Sequence, residues 1–199
     1  PQLTREDYVT SRYILNPLRI WDCDRPVNAS AAYLFTTAER ARDMRQPPVY
    51  VLNHSQHNFR QRTTQPDLDE IEEWTDRAAR RMYEGAGLGP QDVDIFNPYD
   101  GYATMTQFFL EAFQWHGVKR GEAFAFYAGD IRVEGPHPFN SSGGNLGNGR
   151  TRTAMYTDSL EQLRGSAGPR QVKVRAETAL AAFTTPSNGG WIMFGKYPS

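Results

Sequence analysis

The sequence predicts an α/β fold in which helices pack on a mixed β-sheet. The first observation is the order of segments between residues 48 and 197: strand, helix, strand, helix, glycine loop, helix, strand and strand. The second is the stretch 93–102, where a short apolar strand ends in a polar turn and leads into a helix. The third is a glycine-rich segment at 140–150, directly before another helix. In open α/β folds, chemistry usually lies at the carboxyl edge of the sheet, where such turns and loops meet.

Length, charge and cysteine content restrict the class of protein. The chain has 199 residues, enough for one domain with a sizeable core or for half of a larger one. Its net charge is −1 with acids and bases interspersed, which does not indicate nucleic acid or an anionic membrane as a partner. We find no apolar run long enough for a membrane span and no signal peptide, so we expect a cytoplasmic protein. Cys23 is the single cysteine, which excludes an internal disulfide and a cysteine-rich zinc site.

Residues 1–46 do not contain enough secondary structure for a core of their own. Their predicted elements are an extended stretch, a short strand and a helical turn at residues 13–21, 31–35 and 37–44. We therefore expect residues 1–46 to pack on another segment and not to be the natural start of a domain. Residues 47–199 form the predicted domain, whose sheet would expose an apolar face unless another segment covers it.

The first strand of the predicted sheet covers residues 49–52, and its continuous apolar character is typical of a strand buried on both faces. His54 and His57 follow it in a polar loop. Two histidines without a third ligand nearby are more typical of surface residues than of a metal site. We expect no bound metal.

The clearest predicted helix covers residues 67–83. Acidic residues crowd its first turns and arginines its last, which suits the helix dipole. One face carries the apolar stripe expected of a helix packed on a core. The stripe consists of Leu68, Ile71, Thr75, Ala78 and Met82.

The turn after the 93–96 strand holds Tyr99, Asp100 and Tyr102, and the following helix ends at Gly117. Asp100 could cap that helix, so a capped turn with packed aromatic rings competes with a functional site. Residues 121–139 are expected to form a loop with a short hairpin. The last two strands are predicted at 171–184 and 191–197, joined by a turn that ends in two glycines.

The segment 140–150 has the most permissive backbone in the chain. Glycines directly before a helix let backbone N–H groups approach a ligand oxygen closely. The segment matches neither the P-loop nor the dinucleotide-binding fingerprint, and flexible loops have a similar composition.

Four motifs in this order resemble the thiolase superfamily. Asp22-Cys23-Asp24 with residues 28–32 resembles the thiolase segment Asp-Gly-Ala-Ala-Ala, and the turn 99–102 falls where lipid-transfer-type thiolases carry His-Asp-Cys-Phe. Residues 140–150 resemble the Asn-x-x-Gly-Gly loop, and residues 161–172 the helix and strand that follow it. The resemblance implies a layered αβα fold with a mixed five-stranded sheet. In that reading, residues 1–46 are the tail of the N-terminal half and residues 47–199 are the C-terminal domain.

The departures from the family pattern also point to a function. The histidine of the family's Gly-His-Pro motif is replaced in the region 149–151, and the C-terminal Cys-x-Gly motif is missing at 187–190. A Claisen condensation needs a base and an acyl-accepting thiol, so we do not expect thiolysis. Within the superfamily, the chain most resembles the lipid-transfer-type homologues that act as steroid side-chain aldolases.

That resemblance implies retro-aldol cleavage of a steroid β-hydroxyacyl-CoA to a 17-keto steroid and propionyl-CoA. No cofactor is implied, because the substrate itself carries the coenzyme A. The resemblance also implies a homodimer and a partner with a zinc ribbon and an OB-fold, or a hydratase domain. Neither nucleic acid nor a membrane is expected.

Candidate roles follow from the resemblance and from the chemistry of the side chains. Tyr99, beside the expected thioester position, is the first candidate catalytic residue, and Tyr197 at the end of the last strand is the second. Asp100 either orients Tyr99 or caps a helix. The expected substrate-binding residues are Asn140, Gly143 and Gly144 at the acyl end, and Gly189 and Gly190 at the border of the pocket.

Two other functions remain open at this point. The first is a non-catalytic carrier of lipids or acyl-CoA that keeps the thiolase fold. The second is an acetyl-CoA acyltransferase whose catalytic cysteine lies upstream of residue 1.

Overall fold

A computed structural model of the chain describes residues 3–58, 67–183 and 188–198. Its strands are β1 (Tyr13–Leu15), β2 (Leu18–Arg19), β3 (Tyr50–Asn58), β4 (Ile95–Asn97), β5 (Thr178–Ala182) and β6 (Asn188–Gly195). Its α-helices are α1 (Arg5–Thr10), α2 (Ala38–Ala41), α3 (Leu68–Ala86), α4 (Met105–Phe113), α5 (Ala123–Tyr127), α6 (Gly144–Asn148) and α7 (Ala154–Arg164). Short 3₁₀ turns cover Ile20–Asp22, Trp115–Gly117 and Gly168–Arg170.

The predicted α/β class with a mixed sheet is confirmed. The main sheet has the order β3-β6-β5-β4, in which β4 and β5 are parallel and the other neighbours are antiparallel. The described residues place four strands in this sheet, not the five that the resemblance implied. β1 and β2 form a separate two-stranded sheet. Residues 31–35 are not a strand, because no neighbouring backbone in the described chain pairs with them.

Helices cover both faces of the main sheet. On one face, α3 packs on β3 and β6, and α4 packs on α3. The Trp191 ring of β6 lies 4.4 Å from the ring of Phe113 in α4 and 6.1 Å from that of Phe96 in β4. On the other face, α7 packs on β4, β5 and β6, where Tyr156 contacts Phe194. The apolar core therefore fills both sides of a central sheet, as expected of an αβα arrangement.

The long helix α3 matches its prediction because its signals are local. Asp67 accepts a hydrogen bond from the Glu70 amide at 2.9 Å, and the Glu70 carboxylate accepts one from the Asp67 amide at 3.2 Å. This reciprocal capping box fixes the first turn. The helix ends at Gly87, which adopts a left-handed φ of 66°. Its predicted stripe buries Thr75, Ala78 and Met82, whereas Leu68, on the first turn, is exposed.

Three predictions about the sheet and its connections are wrong. β3 is not buried on both faces, since Val51 is 42% exposed, and a continuous apolar run does not show whether both faces of a strand are covered. β3 is also an edge strand of the sheet. Residues 121–139 contain α5 and no hairpin; only Phe139 pairs, with Phe96. β5 is shorter than predicted, because residues 171–177 pair with neither neighbouring strand and only residues 178–182 do. Residues 184–187 of the expected final turn lie outside the described residues.

Residues 32–46 lie against β3, β6 and α7 and enclose, with them, a mainly apolar cavity of about 850 Å³. Leu34 and Phe35 at its rim are exposed. None of the residues predicted to be catalytic lines this cavity. No helix in the described parts of the chain is long and apolar enough to cross a membrane. The domain boundary at residue 46 and the cytoplasmic location stay predictions.

Candidate active site

The two segments that stand out in the sequence meet at the carboxyl end of β4. All three residues of β4 are buried, and Tyr99 and Asp100 follow directly. The Asn140 amide donates to the Phe96 carbonyl at 2.9 Å, and the Phe96 amide donates to the Pro138 carbonyl at 3.2 Å. These bonds attach the start of the glycine segment to β4. The turn after β4 and the glycine segment therefore form one site, at the edge of the sheet where α/β folds bind ligands.

Asp100 binds the start of α6. Its buried carboxylate accepts hydrogen bonds from the Asn145 amide at 2.6 Å and from the Leu146 amide at 3.3 Å. The predicted capping of α4 is therefore wrong: α4 starts after Thr104, and the helix that Asp100 caps is α6. Gly144 makes this contact possible, because it has a φ of 59° and any Cβ there would overlap the Asp100 carboxylate.

Burial raises the pKa of Asp100 to about 6, and the amide hydrogen bonds from Asn145 and Leu146 oppose that rise. The desolvation of the charged form therefore outweighs the stabilisation by the helix amides. A carboxyl with this pKa changes its protonation state close to neutral pH.

Tyr99 is buried, with its ring over Gly101, where a Cβ would lie 2.5 Å from the phenolic oxygen. Its hydroxyl donates to Asp24 Oδ2 across 3.5 Å. Burial and the negative charge of Asp24 raise the pKa of Tyr99, and the positive charges of Arg150 and Arg152 oppose the rise. Tyr99 is therefore a neutral phenol at physiological pH, able to donate and to accept a hydrogen bond.

Asp24 and Arg150 form an ion pair behind Tyr99. Arg150 Nη2 lies 2.7 Å from Asp24 Oδ1, and Arg150 Nε lies 2.9 and 3.0 Å from the two carboxylate oxygens. Backbone bonds hold the same segments together, since the Arg150 amide donates to the Arg25 carbonyl at 2.7 Å and the Asp24 amide to the Gly101 carbonyl at 3.0 Å. Sequence reasoning did not identify either residue as part of the site. The signal was present, since both lie within motifs that carry the family resemblance.

The glycine segment leaves two amide side chains with an unpaired atom. Asn140 Oδ1 and Asn145 Nδ2 are buried, and neither has a hydrogen-bond partner among the described residues. Asn140 also has a left-handed φ of 45°, and its carbonyl accepts from the Gly143 amide at 2.7 Å. Buried polar atoms without a protein partner are unusual, and a ligand or water normally satisfies them. The segment thus offers one acceptor, at Asn140, and one donor, at Asn145, whose backbone amide binds Asp100.

A second buried network fixes the glycine segment to α7. The Ser141 amide donates to Asn97 Oδ1 at 3.2 Å, and Asn97 Nδ2 donates to the Ser159 hydroxyl at 3.0 Å. The Ser141 hydroxyl also donates to Asp158, which is paired with Arg170. Burial raises the pKa of Asp158, and Ser141 and Arg170 oppose that rise. This network holds residue 141, and with it Asn140, against β4.

Gly189 and Gly190 lie at the same edge of the sheet as Tyr99. β6 runs antiparallel to β5, which is parallel to β4, so the first residues of β6 lie where β4 ends. The Gly190 carbonyl accepts from the Tyr156 hydroxyl at 3.3 Å, and a Cβ on Gly190 would come within 2.6 Å of the Phe183 ring. Both glycines are buried.

Tyr197 does not join this site. It follows the carboxyl end of β6, where Gly195 pairs with Thr178 at the opposite edge of the sheet, and it is 55% exposed. The 8 residues of β6 span roughly 25 Å between the two edges. The expectation that Tyr197 borders the same pocket as Tyr99 is therefore wrong within this chain, because an antiparallel strand carries its two ends to opposite edges.

Residues 55–194 match a family model described as thiolase C-terminal domain-like. A relative from Mycobacterium tuberculosis, the 17-hydroxy-3-oxo-4-pregnene-20-carboxyl-CoA lyase, is 34% identical over 190 residues, which cover 89% of this chain and 48% of the relative. An acetyl-CoA acetyltransferase from Methanothermobacter thermautotrophicus is 32% identical over 184 residues, covering 86% of this chain and 46% of the relative.

A solved structure of an Ltp2-ChsH2(DUF35) aldolase has the same fold. It superimposes with a TM-score of 0.81 at 24% identity, covering 97% of this chain and 51% of that chain. The chain thus spans about half the length of the curated relatives that it matches.

Proposed function

Because the chain belongs to the thiolase C-terminal domain-like family, we propose that the complete protein is a carbon–carbon lyase. Its reaction is retro-aldol cleavage of a steroid β-hydroxyacyl-CoA to a 17-keto steroid and propionyl-CoA. The observation that carries the proposal is the buried, neutral Tyr99 hydroxyl at the carboxyl edge of the sheet. The name of the Mycobacterium tuberculosis relative, a lyase of a pregnene carboxyl-CoA, supports the substrate class.

The reaction requires the movement of one proton. The substrate hydroxyl loses it as the carbon–carbon bond breaks, the bonding electrons enter the thioester as an enolate, and the ring carbon becomes a ketone. The α-carbon of the enolate then takes up a proton, so no net proton is consumed. A neutral phenol suits this relay, because its oxygen accepts the hydroxyl proton while its own proton is available for transfer.

The glycine segment suits the thioester end of the substrate. Asn145 Nδ2 is a buried donor without a partner among the described residues, and an enolate oxygen needs such a donor. Asn140 and the backbone at Gly143 and Gly144 complete the acyl end in this proposal. Asp100 does not contact the substrate here; it is a positioning residue that holds the first turn of α6, and so Asn145, in place.

We further propose that the protein works as a homodimer together with a partner that carries a zinc ribbon and an OB-fold, or a hydratase domain. The solved aldolase of the same fold is named for two components, Ltp2 and ChsH2(DUF35), which supports a two-protein arrangement.

A second candidate function is acyl transfer. One relative is named an acetyl-CoA acetyltransferase, and such chemistry requires a thiol. In this chain Cys23 is the single cysteine, and burial raises the pKa of its thiol, which disfavours the reactive thiolate. The chain also lacks the Gly-His-Pro histidine at 149–151 and the Cys-x-Gly cysteine at 187–190, and this favours the lyase over the transferase.

The complete protein, with its partner if one copurifies, should be incubated with a steroid β-hydroxyacyl-CoA bearing a tertiary hydroxyl. Mass spectrometry should detect the 17-ketone and propionyl-CoA in equal amounts. Formation of acetoacetyl-CoA from acetyl-CoA would instead establish the transferase. Saturable binding of the steroid thioester with no product from either reaction would establish the carrier.

A further inference from the structure

We propose that Asp24 and Arg150 are a positioning pair for Tyr99, in which the Arg150-bound carboxylate orients and polarises the phenolic hydroxyl for the reaction. This inference rests on the proposed function, because it assigns the group that acts through Tyr99. It concerns residues from two distant segments of the chain, which converge on one hydroxyl.

The geometry of the carboxylate is the first reason. Both oxygens of Asp24 accept from Arg150, and Oδ2 is also the acceptor for the Tyr99 hydroxyl at 3.5 Å. The guanidinium approaches through Nε and Nη2, which is the side-on bidentate arrangement that fixes a carboxylate most firmly. The hydroxyl of Tyr99 therefore faces an acceptor that cannot rotate away.

The burial of the pair is the second reason. The Asp24 side chain is 1% exposed and that of Arg150 is 40% exposed. The pair Asp158–Arg170 has nearly the same burial, at 1% and 43%, but its carboxylate binds Ser141 and Gln162 and, within the described parts of the chain, no tyrosine. Burying a carboxylate is costly even when it is paired. The Asp158 carboxylate binds Ser141 and so holds the glycine segment in place, whereas the Asp24 carboxylate binds the Tyr99 hydroxyl in the candidate active site.

The consequence for catalysis follows from hydrogen-bond cooperativity. A phenol that donates to a carboxylate becomes a better acceptor for a second proton. With its own proton directed at Asp24, the Tyr99 oxygen keeps its lone pairs free for the substrate hydroxyl. Because the hydrogen bond to Asp24 is long, the phenolic proton can leave Asp24 and pass to the α-carbon of the enolate, while the Tyr99 oxygen keeps the proton taken from the substrate hydroxyl.

The test is a double-mutant cycle on the complete protein with Asp24→Asn, Tyr99→Phe and the double variant. We expect Asp24→Asn to lower kcat by about tenfold to hundredfold with little change in KM, because a misplaced reactive group typically costs up to that factor. In the Tyr99→Phe background the same change should lower kcat by less than about threefold, since residues that act as a unit are not additive. An equal loss in both backgrounds would overturn the proposal.

A readout that does not depend on activity separates this proposal from the proposed function. Tyrosine labelled with ¹³C at Cζ, with the Tyr99 signal assigned by its loss in Tyr99→Phe, reports the pKa of Tyr99. Asp24 raises that pKa and Arg150 lowers it, so Asp24→Asn should shift it down and Arg150→Gln should shift it up. Asp158→Asn should leave it unchanged and controls for a general loss of stability.

These opposite shifts are expected even if the wild-type protein cleaves no steroid thioester, in which case only the proposed function fails. Shifts in the same direction, or none, would refute the pair. If Asp24→Asn does not fold, Arg150→Lys tests the same point: it keeps the charge but loses the bidentate contact, so kcat should fall while the Tyr99 pKa changes little. Unchanged kcat in Arg150→Lys would then refute the proposal.

Discussion

Replacing Tyr99 with phenylalanine tests the proposed site most directly. The substitution removes one hydroxyl and keeps the ring that packs over Gly101. The lost hydrogen bond to Asp24 is long, at 3.5 Å, so the free energy of unfolding should fall by at most about 1 kcal/mol. Turnover of a steroid β-hydroxyacyl-CoA should fall by roughly 10²–10³, the usual effect of losing one transition-state hydrogen bond in a buried site.

The structure identifies the appropriate control. Tyr102, on the same turn, is 41% exposed and lies close enough to raise the pKa of Arg150, so it is not independent of the site. Tyr83 is a better control, because its hydroxyl donates to the Phe113 carbonyl at 2.7 Å between α3 and α4. Tyr83→Phe should cost about 1 kcal/mol of stability and leave turnover unchanged.

The assay is therefore a pair of steady-state measurements and a pair of melting curves. Tyr99→Phe should lose turnover and melt at or slightly below the wild-type temperature, whereas Tyr83→Phe should keep turnover and melt a few degrees earlier. Near-wild-type cleavage by Tyr99→Phe would remove Tyr99 from the mechanism and leave a packed turn with no chemical role.

Three further predictions concern neighbouring features. Gly144→Ala should reduce both stability and turnover, because a Cβ there overlaps Asp100 and a left-handed φ costs alanine roughly 1–2 kcal/mol. Gly165→Ala is the matched control in urea titrations, since Gly165 has a φ of 71° with nothing within 4 Å and its substitution carries only the cost of that φ. Asp100 should make the wild type less stable as pH rises from about 4 to 6, since its pKa is raised from 3.8 to about 6 and the folded state holds the proton longer than the unfolded state. The full shift of about 2 pH units corresponds to about 3 kcal/mol, of which about 2 kcal/mol falls between pH 4 and pH 7. Asp100→Asn should remove that part of the difference in unfolding free energy between the two pH values, and an identical pH dependence in both proteins would contradict the assignment. Equilibrium sedimentation of the complete protein at micromolar concentration should show a dimer, and a monomer throughout would refute the proposed self-association.

The sequence predicted the elements whose signals are local. The helix expected after the glycine-rich segment is α7, Ala154–Arg164. The buried strand β4, followed by a polar turn, also lies where the pattern placed it. The edge position of β3 could not be predicted, because an apolar run of this length looks the same with one paired neighbour or two. The position of Tyr197 failed for a related reason: its place after a strand does not say which edge of the sheet that strand reaches.

The contacts within the site were harder to predict because they join distant parts of the chain. Asp100 binds an amide 45 residues away, and Asp24 binds a guanidinium 126 residues away. Sequence reasoning found Tyr99, Asp100 and the glycine segment through composition and resemblance. It could not find that Asp100 caps α6 instead of α4, or that Asp24 lies behind Tyr99, since neither follows from periodicity or spacing.

The segment that carries Asp24 is attached to the rest of the fold by the ion pair with Arg150 and by backbone hydrogen bonds. The Asp24 amide donates to the Gly101 carbonyl, and the Ala103 amide donates to the Asp22 carbonyl, so two hydrogen bonds join the segments 22–24 and 101–103 beside Tyr99. N-terminal to these hydrogen bonds, α1 buries no residue and all three residues of β1 are exposed. A region with so little buried apolar surface opens at a lower free energy than the sheet does. Warming or mild denaturant should therefore break the hydrogen bonds between segments 22–24 and 101–103 first. The candidate active site would then lose Asp24 reversibly while the hydrophobic core is still folded.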